Sequence, residues 1–235
     1  MRLDKHIAKS LACTRSSAKK KITSGCVSVN QQIQKKAGYI VNAEQQVCFN
    51  GVVLTEISPV YILLNKPKGY VCSTRDENYP SALNLITHIT SSSLHFAGRL
   101  DQDTTGLVLI SDDGQWTHRI TSPKHKQNKT YLVTTSEKLS AENIQRLENG
   151  LMLTGEDKPT KPAKVSIFEH NMITLTITEG RYHQVKRMIA AVGSSVTKLH
   201  RLSIGKLSLS KNLKPDNDLQ PGEWRFLEKQ EINYF

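Results

Sequence analysis

Leu3, Ile7 and Leu11 recur every four positions among polar neighbours, a spacing that predicts a short helix with one apolar stripe. Thr14 is placed to cap a second helix over residues 15–24, and Gly25 to stop it. Ala18 and Ile22 form its apolar side, so Arg15, Lys19 and Lys20 project from the rest. The period then shortens to two. "CVSVN" (26–30) alternates as a strand, and "QQVCFNGVVL" (45–54) reads as another. Ser58-Pro59 breaks the pattern and marks the expected linker.

After the break, short apolar runs dominate. "VYILLN" (60–65) reads as a buried strand, and "GLVLISDDG" (106–114) as a strand entering a turn. "QWTHRITS" (115–122) is a candidate helix, and "KTYLVTTS" (129–136) a strand. "SAENIQRLENG" (140–150) is a helix that ends on Gly150. "AKVSIFEHNMITLTITEG" (163–180) reads as a hairpin turning near His170-Asn171. "RYHQVKRMIAAVG" (181–193) is a helix with Val185, Met188, Ile189 and Val192 on one face and Gly193 as its stop. Strands outnumber helices and most connections are short. The expected class is α+β: a small helix-helix-strands unit, then a larger one on a mixed, mainly antiparallel sheet with flanking helices.

Charge sharpens this division. The 235 residues carry a formal net charge of +11, which points to an anionic partner, nucleic acid first. Residues 1–57 hold nine Lys/Arg against three acids, so the cations gather on the first unit. Arg2, Lys5, Arg15, Lys19 and Lys20 are the candidates there for phosphate contact. Cys13, Cys26, Cys48 and Cys72 form no C-x-x-C and have no His tract beside them, so no zinc site is expected. Scattered cysteines, the lack of a signal-peptide pattern and the lack of a long apolar run read as a cytoplasmic protein without membrane contact. Nothing in the pattern calls for more than a monomer.

Candidate chemistry concentrates in "HFAGRLDQDTTGLVLISDDG" (95–114), which holds Asp101, Asp103, Asp112 and Asp113. Asp112-Asp113-Gly114 is turn and helix-cap chemistry. Asp103 precedes Thr104-Thr105-Gly106 and can bond local backbone N–H groups. Asp101 follows Gly98-Arg99-Leu100, and the adjacent arginine favours its charged form, as a nucleophile requires. A rival fit is D-x-D-x-T over residues 101–105, the nucleophile loop of haloacid-dehalogenase-like phosphatases. That motif needs an uninterrupted apolar strand before it and later acids for Mg²⁺. Gly98-Arg99 interrupts the approach, and no βαβ alternation surrounds it.

Two resemblances extend the reading. "RLDKHIAKSL", "TRSSAKKKI" and "GCVSVN" resemble the S4 RNA-binding domain. The chain departs from that pattern at Thr14, often Ser, and at Gln31-Gln32, where the family often has a glycine. "NKPKGYVCS" (65–73), "GRLDQDTTGLVLISDDG" (98–114), "KTYLV" (129–133) and "EGRYHQVKRMIAAVG" (179–193) resemble four blocks of the pseudouridine synthases, in family order. The pairing of an S4 domain with "EGRYHQVKRM" is most similar to the small-subunit (RsuA) family. The resemblance implies an S4 domain over residues 1–57 and a catalytic domain over 58–235. It implies isomerisation of a uridine in 16S rRNA, position 516, or of one in 23S rRNA, with no metal and no redox or other cofactor. A non-catalytic RNA-binding assembly factor is the other alternative. The expected partner is 16S rRNA or an assembling small-subunit particle. Asp101 matches the catalytic carboxylate, Tyr131 the tyrosine that stacks on the target base, and Lys186 the basic group that pairs with the aspartate. Arg99 matches the arginine that fills the space left by a flipped base. Lys124, Lys126, Lys129, Arg181, Lys198 and Arg201 are expected along RNA phosphates, as is Arg187 beside Lys186.

Overall fold

The computed structural model describes residues 1–42, 44–54, 58–76, 78–87, 89, 94–122, 127–209 and 219–235. Lys124 and Lys126 lie outside them. The chain divides into two compact units, the first made of Met1–Pro59 and the second beginning at Val60.

In the first unit α1 (Leu3–Ser10) and α2 (Arg15–Thr23) precede β1 (Val27–Val29), β2 (Gln32–Ile33), β3 (Val47–Phe49) and β4 (Val52–Val53). The strands pair antiparallel in the order β2-β1-β3-β4. The predicted stripe is the core: Leu3 and Ile7 pack with Ala18, Ile22, Val27 and Val47, and Leu11 lies at the margin. The Thr14 hydroxyl accepts from the Ser17 N–H, so the cap is made as read. "QQVCFNGVVL" is not one strand. Asn50 and Gly51 both take positive φ, 49° and 80°, and fold it into the β3–β4 hairpin. Asn-Gly is the strongest short-range signal for that turn, and it stands in the sequence. The β1–β2 turn keeps the same left-handed geometry on Asn30 and Gln31, where the related pattern has glycine.

Arg2 and Arg15 both reach Asp4, at 3.0 and 2.8 Å. The Arg2 guanidinium draws the Asp4 carboxyl down to about 2 against the opposing effect of burial, and Arg15 adds to the pull. A carboxyl depressed in the folded state stabilises it above its unfolded value, and that stability is lost as pH falls through the folded value. Both arginines are half-exposed, so solvent screening holds the contribution to about 1 kcal/mol. Asp4→Asn is expected to destabilise the first unit by that amount at pH 7. Wild type and variant should converge between pH 4 and pH 2, read from hydrogen exchange of the Leu3 and Ile7 amides.

The second unit opens with β5 (Tyr61–Lys66), a 3₁₀ turn (Ala82–Leu85), β6 (His95–Phe96), β7 (Thr105–Ser111) and α3 (Gly114–Thr121). It continues through β8 (Lys129–Thr135), α4 (Ala141–Asn149), β9 (Lys164–Glu169), β10 (Met172–Ile177) and α5 (Gln184–Ala191). It closes with β11 (Val196–Ile204), β12 (Leu207–Ser208), β13 (Trp224–Phe226) and α6 (Lys229–Ile232). The sheet order is β13-β5-β7-β11-β8-β10-β9, with β6 beside β7 and β12 beside β11. Every described pairing is antiparallel except β7 with β11, which run parallel over His200↔Thr105 and Arg201↔Gly106. The sheet is therefore mixed and mainly antiparallel, as expected. β11 escaped the sequence reading because its register shifts twice, between Val196 and Lys198 and between Arg201 and Ser203. Two bulges destroy the period-two signal.

One core gathers Leu63, Leu107, Leu109, Trp116 and Ile120 with Leu227. The Trp116 indole lies edge-on to Tyr61 and Phe235 and donates to the Ile232 carbonyl at 3.0 Å. Asp113 caps α3, accepting from the Gln115 and Trp116 N–H groups and from the Tyr61 hydroxyl. Asp112 accepts from the Val60 N–H. Both acids serve the fold here, and the chemical question narrows to Asp101 and Asp103.

Candidate active site

The two remaining aspartates sit on the loop that feeds β7. Three backbone N–H groups fix its course. Leu100 donates to the Cys72 sulfur at 3.4 Å, Gly69 donates to the Gln102 carbonyl at 2.9 Å, and Thr104 donates to the Asp101 carbonyl at 3.1 Å. The segment around Gly69 and Cys72 belongs to the "NKPKGYVCS" block, so that block acts here by shaping the aspartate loop.

Across from this loop stands the start of α5. Val185, Met188, Ile189 and Val192 are buried, as the periodicity requires, and this turns Lys186 toward the loop. The Lys186 ammonium lies 3.2 Å from Asp101 Oδ2 and 2.6 Å from Asp103 Oδ1. It is thus shared between two carboxylates. The pair is half-buried, with side-chain exposures of 26% for Lys186 and 31% for Asp101. Asp103 is a second acceptor for Lys186 as well as a turn residue. Burial alone would lower the Lys186 pKa, but hydrogen bonding to Asp103 and the nearby Asp101 charge raise it. Burial likewise opposes the Asp103 charge, yet Lys186 holds that carboxyl below its ordinary value.

His183 is a group the sequence reading missed. Its Nε2 lies 3.3 Å from Asp101 Oδ1. It occupies the position before α5 with φ of 47°, and its ring stacks on Tyr182 at 3.8 Å between centroids. The signal was its spacing. A residue three before Lys186 lies on the same side of a helix start. Arg99, by contrast, is exposed, and the described ion-pair partner of Asp101 is Lys186 of α5, with the His183 ring beside it.

Asp101, His183 and Lys186 border a cavity of about 710 Å³, which Arg99, Tyr131, Lys129, Cys72 and Arg201 also line. Lys129 and Tyr131 are two apart on β8 and so share one face of the strand. Tyr131 is buried in that wall. Lys129 donates to the Gln127 carbonyl, and burial, with Arg201 nearby, pushes its ammonium down to about 8. Such a cavity suits a flat polar ring with a ribose attached. Its carboxylate, held in place by a lysine, can act as nucleophile or base.

Lys5, Lys19, Lys20 and Lys198 are exposed, whereas Arg2 and Arg15 are engaged by Asp4. Arg181 donates to the Lys158 and Pro159 carbonyls and pairs with Glu156. Arg187 holds the same segment through Glu156 and the Thr154 carbonyl. An RNA phosphate at either arginine would compete with those contacts. Arg201 is not a surface cation at all, because it is 1% exposed. Among the described residues no three His, Cys, Asp or Glu side chains gather as metal ligands. The place between the two loop carboxylates belongs to the Lys186 ammonium. No described helix is long and apolar enough to cross a membrane.

The RNA pseudouridylate synthase family model matches residues 60–191, and the S4 domain model matches residues 1–47. The chain is 46% identical to the ribosomal small subunit pseudouridine synthase A of Escherichia coli (strain K12), over 99% of this chain and 98% of that one. It is 46% identical to the Yersinia pestis protein of the same name, over 99% of this chain and 97% of that one. A crystal structure of a pseudouridylate synthase, 45% identical, superposes with a TM-score of 0.70, covering 100% of this chain and 99% of that one.

Proposed function

The chain belongs to the RNA pseudouridylate synthase family and is an enzyme of its ribosomal small-subunit type, and from that premise we propose that it converts one uridine of 16S rRNA, position 516, to pseudouridine. The observation that carries the reading of the site is Lys186, which brings Asp101 to one edge of a nucleotide-sized cavity with Tyr131 in its wall.

The reaction is an isomerisation. The bond from ribose C1′ to uracil N1 breaks, the base turns, and a bond from C1′ to C5 forms. The C5 proton is lost and N1 gains one. Asp101 acts at the ribose, by attack at C1′ or by removing a neighbouring proton. Lys186 and His183 hold the carboxylate toward the cavity. Tyr131, in the cavity wall, supplies the stacking face for the base and assists loss of the C5 proton. A uridine inside a duplex must first be flipped out, which costs about a few kcal/mol. Stacking on Tyr131 returns about 1–3 kcal/mol, and Arg99 at the rim fills the vacated stack. The exposed cations Lys5, Lys19 and Lys20 of the S4 unit supply the phosphate attraction, with Arg2 and Arg15 available when they leave Asp4. The working form is a monomer in the cytoplasm, acting on 16S rRNA or on an assembling small-subunit particle.

Tritium release from 5-³H-uridine-labelled 16S and 23S rRNA, free and in assembling particles, tests this. Release from 16S alone, at one site, is expected. Release from 23S alone keeps the chemistry and overturns the target. RNA binding with no release from any substrate favours a non-catalytic assembly role.

A further inference from the structure

Two cations of the second unit are buried more deeply than any other and take no part in the chemistry above. Arg201 is 1% exposed and Lys66 is 0% exposed. Among the described residues neither forms an ion pair. Both donate to backbone carbonyls instead, and Arg201 Nη2 is buried without a partner among the described residues. Arg201 Nε donates to the Leu107 carbonyl at 2.7 Å and Nη1 to the Arg99 carbonyl at 3.3 Å. Lys66 Nζ donates to the Tyr70 carbonyl at 2.8 Å, to Pro67 at 3.0 Å and to Gln102 at 3.5 Å.

The positions of these carbonyls matter. Arg99 and Gln102 flank Asp101, one on each side, so the peptide planes that follow Arg99 and Gln102 are both held from below by a buried positive charge. Between them only Leu100 and Asp101 remain to turn, and each has its own tether, Leu100 N–H to Cys72 and Asp101 C=O to Thr104. A buried cation without a counter-ion is costly to the fold. Its compensation here is a set of carbonyl dipoles, all on the loop that carries the carboxylate or on the segments beside it. The short bonds, Arg201 to Leu107 and Lys66 to Tyr70, are of the strong charge-assisted kind and anchor the two cations, from which the longer contacts reach the aspartate loop.

We infer that Arg201 is a positioning residue for Asp101: with Lys66 it clamps the carbonyls on both sides of the aspartate and so sets where the carboxylate points. This rests on Asp101 being the reacting group. Arg201 lies on β11, beyond the segment matched by the family model, and it reaches the loop because β11 pairs in parallel with the start of β7 at Gly106. The Arg201 guanidinium reaches its two carbonyls from two different nitrogens, Nε and Nη1, a spread that the single nitrogen of a lysine in its place does not have.

The test is single-turnover tritium release from the substrate that wild type accepts, with Arg201→Lys and Arg201→Met. A misplacement near 1 Å can cost about 100-fold in rate. Arg201→Lys is expected to lower the rate constant by about 10-fold and Arg201→Met by about 100-fold. The amplitude of the burst and the RNA affinity should stay at the wild-type level. A purely structural role predicts the opposite pattern, a smaller amplitude at an unchanged rate constant, and that result overturns the inference. A wild-type rate constant in Arg201→Lys overturns it too, and this milder variant remains readable if Arg201→Met does not fold. Absence of release by wild type itself speaks against the proposed function instead.

Discussion

Asp101→Asn is expected to lower turnover by about 10³- to 10⁴-fold or more, the usual scale for loss of a reacting group. Asparagine has the same shape but cannot act as the carboxylate does. The geometry makes this variant a clean one. Lys186 keeps Asp103 at 2.6 Å, so removing the Asp101 charge does not leave a half-buried ammonium alone. Thermal stability and RNA affinity should therefore stay near wild type while tritium release disappears. Asp103→Asn supplies the contrast. It removes the closer partner of Lys186 and spares the proposed reactive group, so turnover should fall by no more than about 10-fold. Substantial turnover in Asp101→Asn, with loss in Asp103→Asn, would reverse the two roles.

Gly106→Ala is expected to destabilise the second unit by about 3–5 kcal/mol, among the largest single effects available in this chain. Two causes add. Gly106 has φ of 107°, where a side chain is strained. A Cβ there would also run into the Arg201 backbone carbonyl, at the point where β7 and β11 pair in parallel. Backbone cannot swing away as a side chain can, so the strands must part. Gly222→Ala isolates the first cause. Its φ is 93° and nothing lies within 4 Å of the added carbon. It should cost about 1–2 kcal/mol. Urea unfolding of both variants measures the difference, and equal midpoints would mean that the close approach at Gly106 costs nothing.

Local rules took the sequence reading a long way, and the places where they stopped are informative. The α1, α2 and α5 stripes and the Thr14 cap depend on residues within a turn or two, and so they are visible in the chain. Asp113 as a cap is of the same kind. The β3–β4 hairpin was also visible, in Asn50-Gly51, but a run of apolar residues on both sides hid it. β11 was not legible, because its bulges scramble the alternation that a strand should show. The site divides in the same way. Asp101, Tyr131 and Lys186 stand in blocks with a family likeness. His183 is close to Lys186 and could have been found from helix geometry. Arg201 could not. Nothing in "LHRLSIG" distinguishes a buried arginine from an exposed one, because what buries it is the parallel pairing of two strands, Gly106 with Arg201, 95 positions apart.

The outer strand β13 pairs with β5 through Trp224↔Leu64 and Phe226↔Ile62, and Trp116 bonds to Ile232. During synthesis β5 therefore leaves the ribosome long before its neighbour on that side exists. The first unit has no such wait, since every strand in its sheet lies within residues 27–53. Contacts near in sequence form early and distant ones late. The chain thus acquires its S4 unit while still being made, and its second unit closes only once residues 224–232 have emerged to cover the open flank of β5.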